Sequence, residues 1–409
     1  MLVNKRNFRA FLWHAAFLAL ATTFTDVNTI LPSMIVSAGG TDMQIGLLTA
    51  IMVGTPILGQ LAFASYLHLK PRKKGFLLLG INLRVIALAM VAVVMWNMET
   101  LTGSVVIGLV MVLMFVFAIA GTFAGVSYTD ILGKSLPENQ RPRFFVSRQV
   151  VNSVGILVSA LIASQLLGQL EYPSRYVWLF GAASLLLLFA SLGFWALEEE
   201  PAEVQGDNQS VFQVLKSIPG YIRTDRGLRD YIYLINLTGF GLTLMPFYVA
   251  IIKTEYGLTG QQVGAYLLAN IFGMIASNFI WAKVVKQYGF RGVVRGCIIC
   301  GAVLPLLALI LIHGPAAYFL IVFFLMGVAI SARKIAFEGL FLEITTKENR
   351  ALHNGVVGAM SLSTALFPLA AGGLIGVTGY APVFILGSIL VASAYRFAGP
   401  IRSTNKITP

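Results

Sequence analysis

The sequence predicts an all-α membrane protein with twelve transmembrane helices in two six-helix halves. Apolar residues make up 57% of the 409 residues and charged residues only 11%, whereas an ordinary soluble domain has about 45–50% apolar and about 25% charged residues. The apolar residues form long unbroken runs, which favour helices because a membrane β-barrel requires short alternating strands. This composition excludes a soluble enzyme, a disordered chain and, with only two cysteines, a disulfide-rich scaffold.

Twelve apolar runs are long enough to cross a bilayer, which takes about 20 residues of helix. They cover approximately residues 10–37, 43–68, 75–96, 103–131, 145–169, 174–196, 230–252, 260–284, 292–313, 315–344, 352–374 and 380–398. Lys and Arg cluster before span 1 and after every even-numbered span, while the opposite loops contain only Arg175 and Lys253. Because positively charged loops stay in the cytoplasm, we expect a multi-pass protein of the cytoplasmic (inner) membrane with both termini inside.

The chain divides into two halves that resemble each other. Residues 1–196 form the N-terminal six-helix half, residues 230–409 form the C-terminal half, and the polar stretch 197–229 forms a cytoplasmic linker. Three short segments match at equivalent places: 29–32 with 243–246, 44–46 with 262–264, and 137–139 with 347–349. A repeat of two parallel halves is a transporter architecture with its substrate site near the middle of the membrane. Within the linker, a surface helix is predicted from the helical spacing of Val211, Phe212, Leu215 and Ile218.

The loops after spans 2 and 8 carry a basic motif. In the second half, Gly289 and Arg291 fit the pattern Gly-x-x-x-Asp-Arg-x-Gly-Arg-Arg, although Lys283 stands where an acid is usual. The first half keeps only the basic end of that pattern, and Asp130 at the end of span 4 matches its acidic partner. With these features and the repeat, nearly the whole chain resembles the major facilitator superfamily. The resemblance implies the fold of that family, alternating access and a cytoplasmic gate that includes Arg72, Lys73, Asp130 and Arg291.

Span 1 adds a second, shorter resemblance. The segment from Asp26 to Pro32 is similar to a shortened form of a signature found in drug:proton antiporters. Span 5 departs from those antiporters, because the segment around Gly155 lacks the proline of their glycine–proline motif.

Asp26 is the candidate for coupling to protons or cations. A charge at bilayer depth costs about 2.5–3.5 kcal/mol on insertion scales, so it calls for a cavity, a partner or a function. Helical spacing puts Thr22, Asp26 and Thr29 on one face, flanked by Asn28, and span 1 lines the cavity in the resembled family. A carboxylate there could exchange protons. The alternative is a structural hydrogen bond to a neighbouring helix.

Span 10 carries the candidates for recognising the substrate. Arg333 and Lys334 lie near its middle, and Glu338 follows Lys334 at a spacing that permits an ion pair, which would leave Arg333 as the spare cation. We interpret these residues as an anion-binding or coupling centre. The alternative is an ion-pair network that only stabilises the protein. Glu343, nearer the cytoplasmic end, is interpreted as a gate residue.

Two further charges lie within or near the spans. Arg148 lies near the cytoplasmic end of span 5, and we interpret it as pairing with Asp130 in the gate, the alternative being plain interfacial charges. Arg84 lies about 13 Å into span 3 at 1.5 Å per residue. It either extends its side chain towards the headgroups or pairs with an acidic residue.

These features predict a secondary active transporter of a small organic solute, with a zwitterion or organic anion favoured and protons as coupling ions. We expect a monomer in the lipid bilayer with no cofactor, no metal site and no nucleic-acid partner. One alternative is an exporter of hydrophobic drugs or lipids. Another is a non-transporting protein that uses the fold for assembly or sensing. ATP-driven transport is disfavoured because no phosphate-binding loop occurs. An enzyme is disfavoured because no nucleophile elbow or metal-hydrolase motif occurs.

Overall fold

The computed structural model describes residues 2–68, 70–137, 140–201, 220, 223–345 and 350–399. These ranges are largely helical, with no strand among them. The helices are α1 (Leu2–Thr23), α2 (Ile30–Ser37), α3 (Asp42–His68), α4 (Lys74–Trp96), α5 (Gly103–Ser135), α6 (Arg141–Gln169), α7 (Ser174–Trp195), α8 (Arg226–Thr243), α9 (Pro246–Tyr256), α10 (Gly260–Leu311), α11 (Phe319–Ile344), α12 (Arg350–Met360), α13 (Leu362–Thr378) and α14 (Tyr380–Ser393).

Every predicted span corresponds to one helix, part of one helix or a pair of helices. In the described part of the chain, 10 stretches are long and apolar enough to cross a membrane. One of them, α10, has 52 residues and would measure about 78 Å if straight, against a hydrocarbon core of about 30 Å. Gly289, with φ of 68°, interrupts its helical geometry, so α10 accounts for predicted spans 8 and 9. The described helices therefore account for every predicted span.

Three predicted spans are not single helices. Span 1 is divided into α1 and α2, span 7 into α8 and α9, and span 11 into α12 and α13. In span 7 the second helix starts at Pro246, which is favoured at a helix start because proline lacks the N–H that an interior position donates. The break in span 7 lies within the matched segment 243–246, and the break in span 1 ends at Thr29, the first residue of the matched segment 29–32. The two halves are therefore both interrupted next to the same sequence match.

The second matched segment forms a helix cap in each half. At the start of α3, the Thr41 N–H donates to Gln44 Oε1 at 2.8 Å, and the Gln44 N–H lies 3.4 Å from Thr41 Oγ1. At the start of α10, Thr259 and Gln262 make the same two contacts at 2.9 and 3.2 Å. This reciprocal arrangement is a capping box, which gives the sequence match a structural reason.

The chain divides into two compact units. The first comprises Met1–Gly40, Ile51–Asn208 and Thr259–Gly264, and the second comprises Thr41–Ala50, Gln209–Leu258 and Ala265–Pro409. Thr41–Ala50, at the start of α3, is grouped with the second unit, and Thr259–Gly264, at the start of α10, is grouped with the first. These two helix starts are equivalent in the repeat. The predicted surface helix around Val211, and the repeat residues 138–139 and 347–349, lie outside the described residues.

Each unit has its own core. In the first, α1 packs against α6 and α7, and α4 packs against α5 and α7. Edge-to-face contacts of Phe11 with Tyr128, Phe144 and Phe194 join α1 to three other helices at centroid distances of 5.2–6.0 Å. In the second unit, α8 packs against α11, α13 and α14. Here Tyr231 of α8 and Phe337 of α11 meet edge to face at 5.7 Å, which brings α8 alongside the charged stretch of α11.

Candidate functional site

Asp26 lies in the non-helical break between α1 and α2. Its Oδ1 accepts hydrogen bonds from the N–H groups of Asn28 and Thr29, at 3.0 and 2.8 Å, and from the Thr29 hydroxyl at 2.7 Å. Thr, Asp and Asn side chains compete with helical backbone bonding in this way, and the segment from Thr22 to Thr29 is rich in them. The local sequence therefore accounts for the break.

The break corrects the prediction of a continuous polar face on span 1. Because α1 ends at Thr23, Thr22 and Thr29 are not on one uninterrupted helix. Thr22 is exposed in the last turn of α1, where its hydroxyl donates to the Ala19 carbonyl at 3.1 Å. Thr29 is buried directly against Asp26. Among the described residues, no hydrogen bond reaches the second carboxylate oxygen of Asp26, Oδ2, so only half of the carboxylate has a structural partner.

Arg333 of α11 is bound to the backbone and side chains of α8. Its Nη2 donates to the Ile235 carbonyl at 2.8 Å, and its Nη1 donates to the Thr238 hydroxyl. The guanidinium carbon lies 4.8 Å from the ring centroid of Phe337. The Thr238 hydroxyl in turn donates to the Leu234 carbonyl at 2.6 Å, which leaves its lone pairs free for Arg333. An arginine has five N–H donors, so these two bonds hold the group in place while other donors stay available.

A cavity of about 470 Å³ opens beside this arginine. Helices α8, α11 and α12 form it. It contains the three charged residues predicted on span 10, Arg333, Lys334 and Glu338, together with polar Tyr231 and Asn354. The remaining lining is apolar and consists of Ile235, Leu242, Ile330, Phe337, Phe341 and Val357. The cavity thus presents two cations and one carboxylate in largely apolar walls.

Lys334 and Glu338 are both exposed in this cavity. The ion pair predicted between them is not among the salt bridges that the described residues form. The spare-cation role predicted for Arg333 also changes, because Arg333 is fixed to α8 whereas Lys334 has no ion-pair partner in this part of the chain. Glu343, the predicted gate residue, is exposed near the end of α11.

Asp130 pairs with lysines. Its Oδ1 lies 2.8 Å from the ammonium of Lys73, and its Oδ2 pairs with Lys134 one helical turn away. The predicted pairing with Arg148 is not the one in the structure: Arg148 lies over the Tyr128 ring, with its guanidinium carbon 5.8 Å from the centroid. Of the other predicted gate residues, Arg72 is exposed beside Lys73 and Arg291 is half-buried just after the Gly289 break.

Glu199 is a member of this cluster that the sequence did not single out. Its carboxylate accepts the backbone N–H of Lys73 at 2.7 Å and that of Lys74 at 2.7 Å. A carboxylate at the start of a helix satisfies unpaired N–H groups and complements the helix dipole. The run Glu198–Glu200 at the start of the linker was the available signal, and it was interpreted only as a polar boundary.

Arg84 of α4 follows neither of its two predicted alternatives. Its guanidinium carbon lies 4.3 Å from the ring centroid of Phe117 on α5, close to the surface of Gly121. Its Nε is buried without a hydrogen-bond partner, and no acidic side chain in the described ranges pairs with it. The glycine at position 121 leaves room for this packing.

The described residues contain no group of three or more His, Cys, Asp or Glu side chains that could hold a metal ion.

Asn236, which follows the cavity residue Ile235 on α8, connects two helices. Its Oδ1 accepts hydrogen bonds from the hydroxyls of Ser363 and Thr364 on α13 at 2.7 and 2.9 Å. The charged and polar side chains that line the cavity are of the kind that hold a solute by ion pairs and hydrogen bonds.

Comparison with known proteins agrees with this architecture. The sequence profile of the Major Facilitator Superfamily matches residues 12–244 and 231–401. A curated relative, "Uncharacterized protein in sodM 3'region" of Geobacillus stearothermophilus, is 28% identical over 172 residues, which are 40% of this chain and 80% of the relative.

Solved structures share the fold along nearly the whole chain. The nucleoside transporter NupG aligns with a TM-score of 0.64 and 13% identity over 97% of this chain and 98% of its own. A POT family transporter in complex with thioalcohol conjugated peptide aligns at 0.69 and 11% over 95% and 94%. A bacterial homologue of the iron transporter ferroportin in the inward-facing state aligns at 0.68 and 13% over 96% and 99%. At these identities the similarity concerns the fold alone.

Proposed function

Because the chain belongs to the major facilitator superfamily, we propose that it is a proton-coupled secondary transporter that moves a small organic anion or zwitterion across the cytoplasmic membrane by alternating access. The observation that carries the proposal is the fixation of Arg333 beside the cavity. Its bonds to Ile235 and Thr238 orient the guanidinium, and a planar fork oriented in advance suits a carboxylate or phosphate.

The cavity supports this substrate class by its size and lining. A volume of about 470 Å³ lies within the range of about 300–1,000 Å³ typical of small-molecule sites. Arg333 and Lys334 would bind an anionic group of the solute, and the apolar walls would contact its carbon skeleton. Glu338 is available for an ammonium group, which is why a zwitterion remains within the proposed class.

Coupling to protons is assigned to Asp26. Its Oδ1 is committed to the break between α1 and α2, but the described residues leave Oδ2 without a hydrogen bond. A proton could therefore bind to Oδ2 and leave the contacts of Oδ1 intact. In this proposal, the turn fixes the position of the carboxylate and Oδ2 exchanges the proton.

An exporter of hydrophobic drugs or lipids is the second candidate. The six apolar residues of the cavity lining favour it. Two cations beside those residues disfavour it, since a neutral hydrophobic solute would desolvate them without offering hydrogen bonds in return. A purely structural or sensing role explains neither the cavity nor an exposed Lys334 that forms no ion pair with any residue the structure describes.

Untargeted mass spectrometry of cells that express the protein tests the proposal. The wild type is compared with Asp26→Asn, with Arg333→Ala and with empty-vector cells. Arg295→Ala is the matched control, because Arg295 is an exposed arginine of the same half, outside the cavity. Each variant must first be shown to reach the membrane in equal amount.

We expect one anionic or zwitterionic metabolite to be enriched or depleted with the wild type and with Arg295→Ala only. The sign of the change gives the net direction of transport. A neutral hydrophobic compound that changes with this same pattern across the variants would favour the second candidate. Identical metabolomes in all cells, with the protein folded in the membrane, would contradict transport of this class of solute.

A further inference from the structure

A second cavity, of about 770 Å³, lies between the first turns of α1 and the end of α7. Its charged residues are Lys5, Arg6 and Arg9 on α1 and Glu198 after α7, and the small residues Gly193 and Ala196 also line it. It belongs entirely to the first unit and is far along the chain from the cavity beside Arg333. The proposed transport mechanism does not use it.

The charges of this cavity are only partly neutralised. Glu198 pairs with Arg6, and its backbone is held by Asn7, whose Nδ2 donates to the Glu198 carbonyl at 2.8 Å. Lys5 and Arg9 are exposed, and no carboxylate within the described ranges pairs with either. Two cations therefore face the cavity without a counter-ion from these ranges, so its charge is complementary to an anion.

Beside the charges, an aromatic side chain lines the cavity. Trp13 lies one helical turn beyond Arg9 on α1, and its indole N–H donates to the Phe189 carbonyl at 2.7 Å, which fixes the ring. The Trp13 and Phe17 rings pack in a tilted arrangement with their centroids 4.7 Å apart, and the Phe17 and Phe189 centroids lie 5.8 Å apart. Trp13 and Phe189 are 45% and 46% exposed, so this column presents an apolar face outward.

The spacing of these features fits a membrane interface. From Lys5 to Phe17 the helix advances about 18 Å at 1.5 Å per residue, with the cations at one end, a tryptophan between and phenylalanine at the other end. Tryptophan is enriched at the level of the headgroups, and basic pockets at helix ends bind anionic headgroups. A phospholipid has the same order of groups: a phosphate, a glycerol backbone and an acyl chain.

We propose that this groove binds one anionic phospholipid, with its phosphate at Lys5 and Arg9 and its acyl chain along Trp13 and Phe17. A free phosphate shares the headgroup chemistry but gains nothing from the aromatic column. The occupant is therefore a lipid, and the column together with the cations distinguishes the groove from a merely basic surface.

Native mass spectrometry of the purified full-length protein tests the site. The protein is mixed with equal amounts of phosphatidylglycerol and phosphatidylcholine that carry identical acyl chains. We expect the wild type to bind one phosphatidylglycerol molecule in preference to phosphatidylcholine. This preference should be roughly 30-fold weaker in the double variant Lys5→Ala/Arg9→Ala, because each cation near an anionic surface contributes about a factor of five. Lys283→Ala/Lys286→Ala removes the same charge from another exposed basic segment and should leave the preference unchanged.

Three outcomes would overturn the proposal. One is equal retention of the two lipids by the wild type. Another is that Lys283→Ala/Lys286→Ala loses as much of the preference for phosphatidylglycerol as Lys5→Ala/Arg9→Ala does. The third is displacement of the bound lipid by millimolar inorganic phosphate, which would assign the groove to free phosphate.

Fluorescence quenching gives a second measurement that needs no charge variant. In nanodiscs, phosphatidylglycerol with brominated acyl chains should quench the protein's tryptophan emission more strongly than brominated phosphatidylcholine. The difference should disappear in Trp13→Phe. Equal quenching by the two lipids in the wild type would contradict the proposal, even if Lys5→Ala/Arg9→Ala fails to fold.

Discussion

The ammonium of Lys73 lies 2.8 Å from Oδ1 of Asp130 and is almost wholly buried, with 6% of its side chain exposed. The backbone N–H of Lys73 donates at the same time to Glu199. The segment before α4 is therefore held from two sides, by α5 and by the start of the linker. A buried cation of this kind depends strongly on its counter-ion, because a desolvated charge is costly unless it is paired.

Asp130→Asn should lower the stability of the protein by about 3 kcal/mol, since it leaves the buried Lys73 ammonium without an anion. Lys134→Ala is the matched control: it removes the other partner of Asp130, which is 27% exposed, and should cost at most about 1 kcal/mol. Thermal unfolding in detergent compares the two variants. Adding Lys73→Met to Asp130→Asn should restore part of the loss, and equal effects of Asp130→Asn and Lys134→Ala would contradict this account.

The two roles of Asp26 can be separated by a pair of substitutions. Asp26→Asn keeps an Oδ1 that can accept from Asn28 and Thr29 but cannot exchange a proton, so stability should be retained and the pH dependence of transport lost. Asp26→Ala removes the acceptor as well, and should also cost about 1 kcal/mol or more, because each of the hydrogen bonds lost contributes about that much.

The measurement for Asp26 combines unfolding temperature with the accumulation of the transported metabolite in acidic and alkaline medium. If Asp26→Asn transports with the pH dependence of the wild type, then Asp26 serves only the backbone break. If it unfolds as readily as Asp26→Ala, then a contact of the charged carboxylate contributes to stability.

Helices α10 and α11 cross at two glycines that leave no room for a side chain. A Cβ added at Gly327 would lie 1.9 Å from the Asn270 carbonyl oxygen, and one added at Gly273 would lie 2.1 Å from the Phe324 carbonyl oxygen. Small residues allow membrane helices to approach this closely. Gly327→Ala should therefore separate the helices and destabilise the protein by about 1–3 kcal/mol, as overpacking generally does.

Gly376→Ala is the matched control for that crossing, because a Cβ there meets nothing within 4 Å. Alanine is the better helix former, so this variant should be as stable as the wild type or slightly more stable. Thermal unfolding of both variants side by side provides the test. A neutral Gly327→Ala would mean that the two helices shift apart without loss of packing energy.

Arg84 should be replaceable without loss of stability. The half-buried side chain packs on Phe117, its Nε is buried without a hydrogen-bond partner, and no acidic residue in the described ranges pairs with it. Because burying a charged group without a partner costs free energy, an apolar side chain of similar length should suit the position at least as well. We expect Arg84→Met to unfold at the same or a higher temperature, and Arg148→Met, at an exposed position, to change stability by less than about 0.5 kcal/mol. A clear destabilisation by Arg84→Met would show that its guanidinium has a stabilising partner.

The sequence matches between the two halves have local causes, although the structures that they form were not predicted. The capping boxes at Thr41 and Thr259 and the break before Pro246 each depend on residues within a few positions of one another. The break at Asp26 was missed, although its cause is local too. The long apolar run outweighed the cluster of Thr, Asp and Asn side chains that compete with helical bonding.

The sequence by itself determined the membrane-spanning helices, their repeat in two halves and the charges on span 10, because apolar length, helix capping and spacing along one helix are properties of neighbouring residues. Only the tertiary structure decided which groups those charges meet. Arg333 binds Ile235, 98 residues away in the chain, and Asp130 binds Lys73 at the start of α4 rather than Arg148. Such partners depend on which helices pack together and at what rotation, and side-chain packing across the whole fold sets that arrangement.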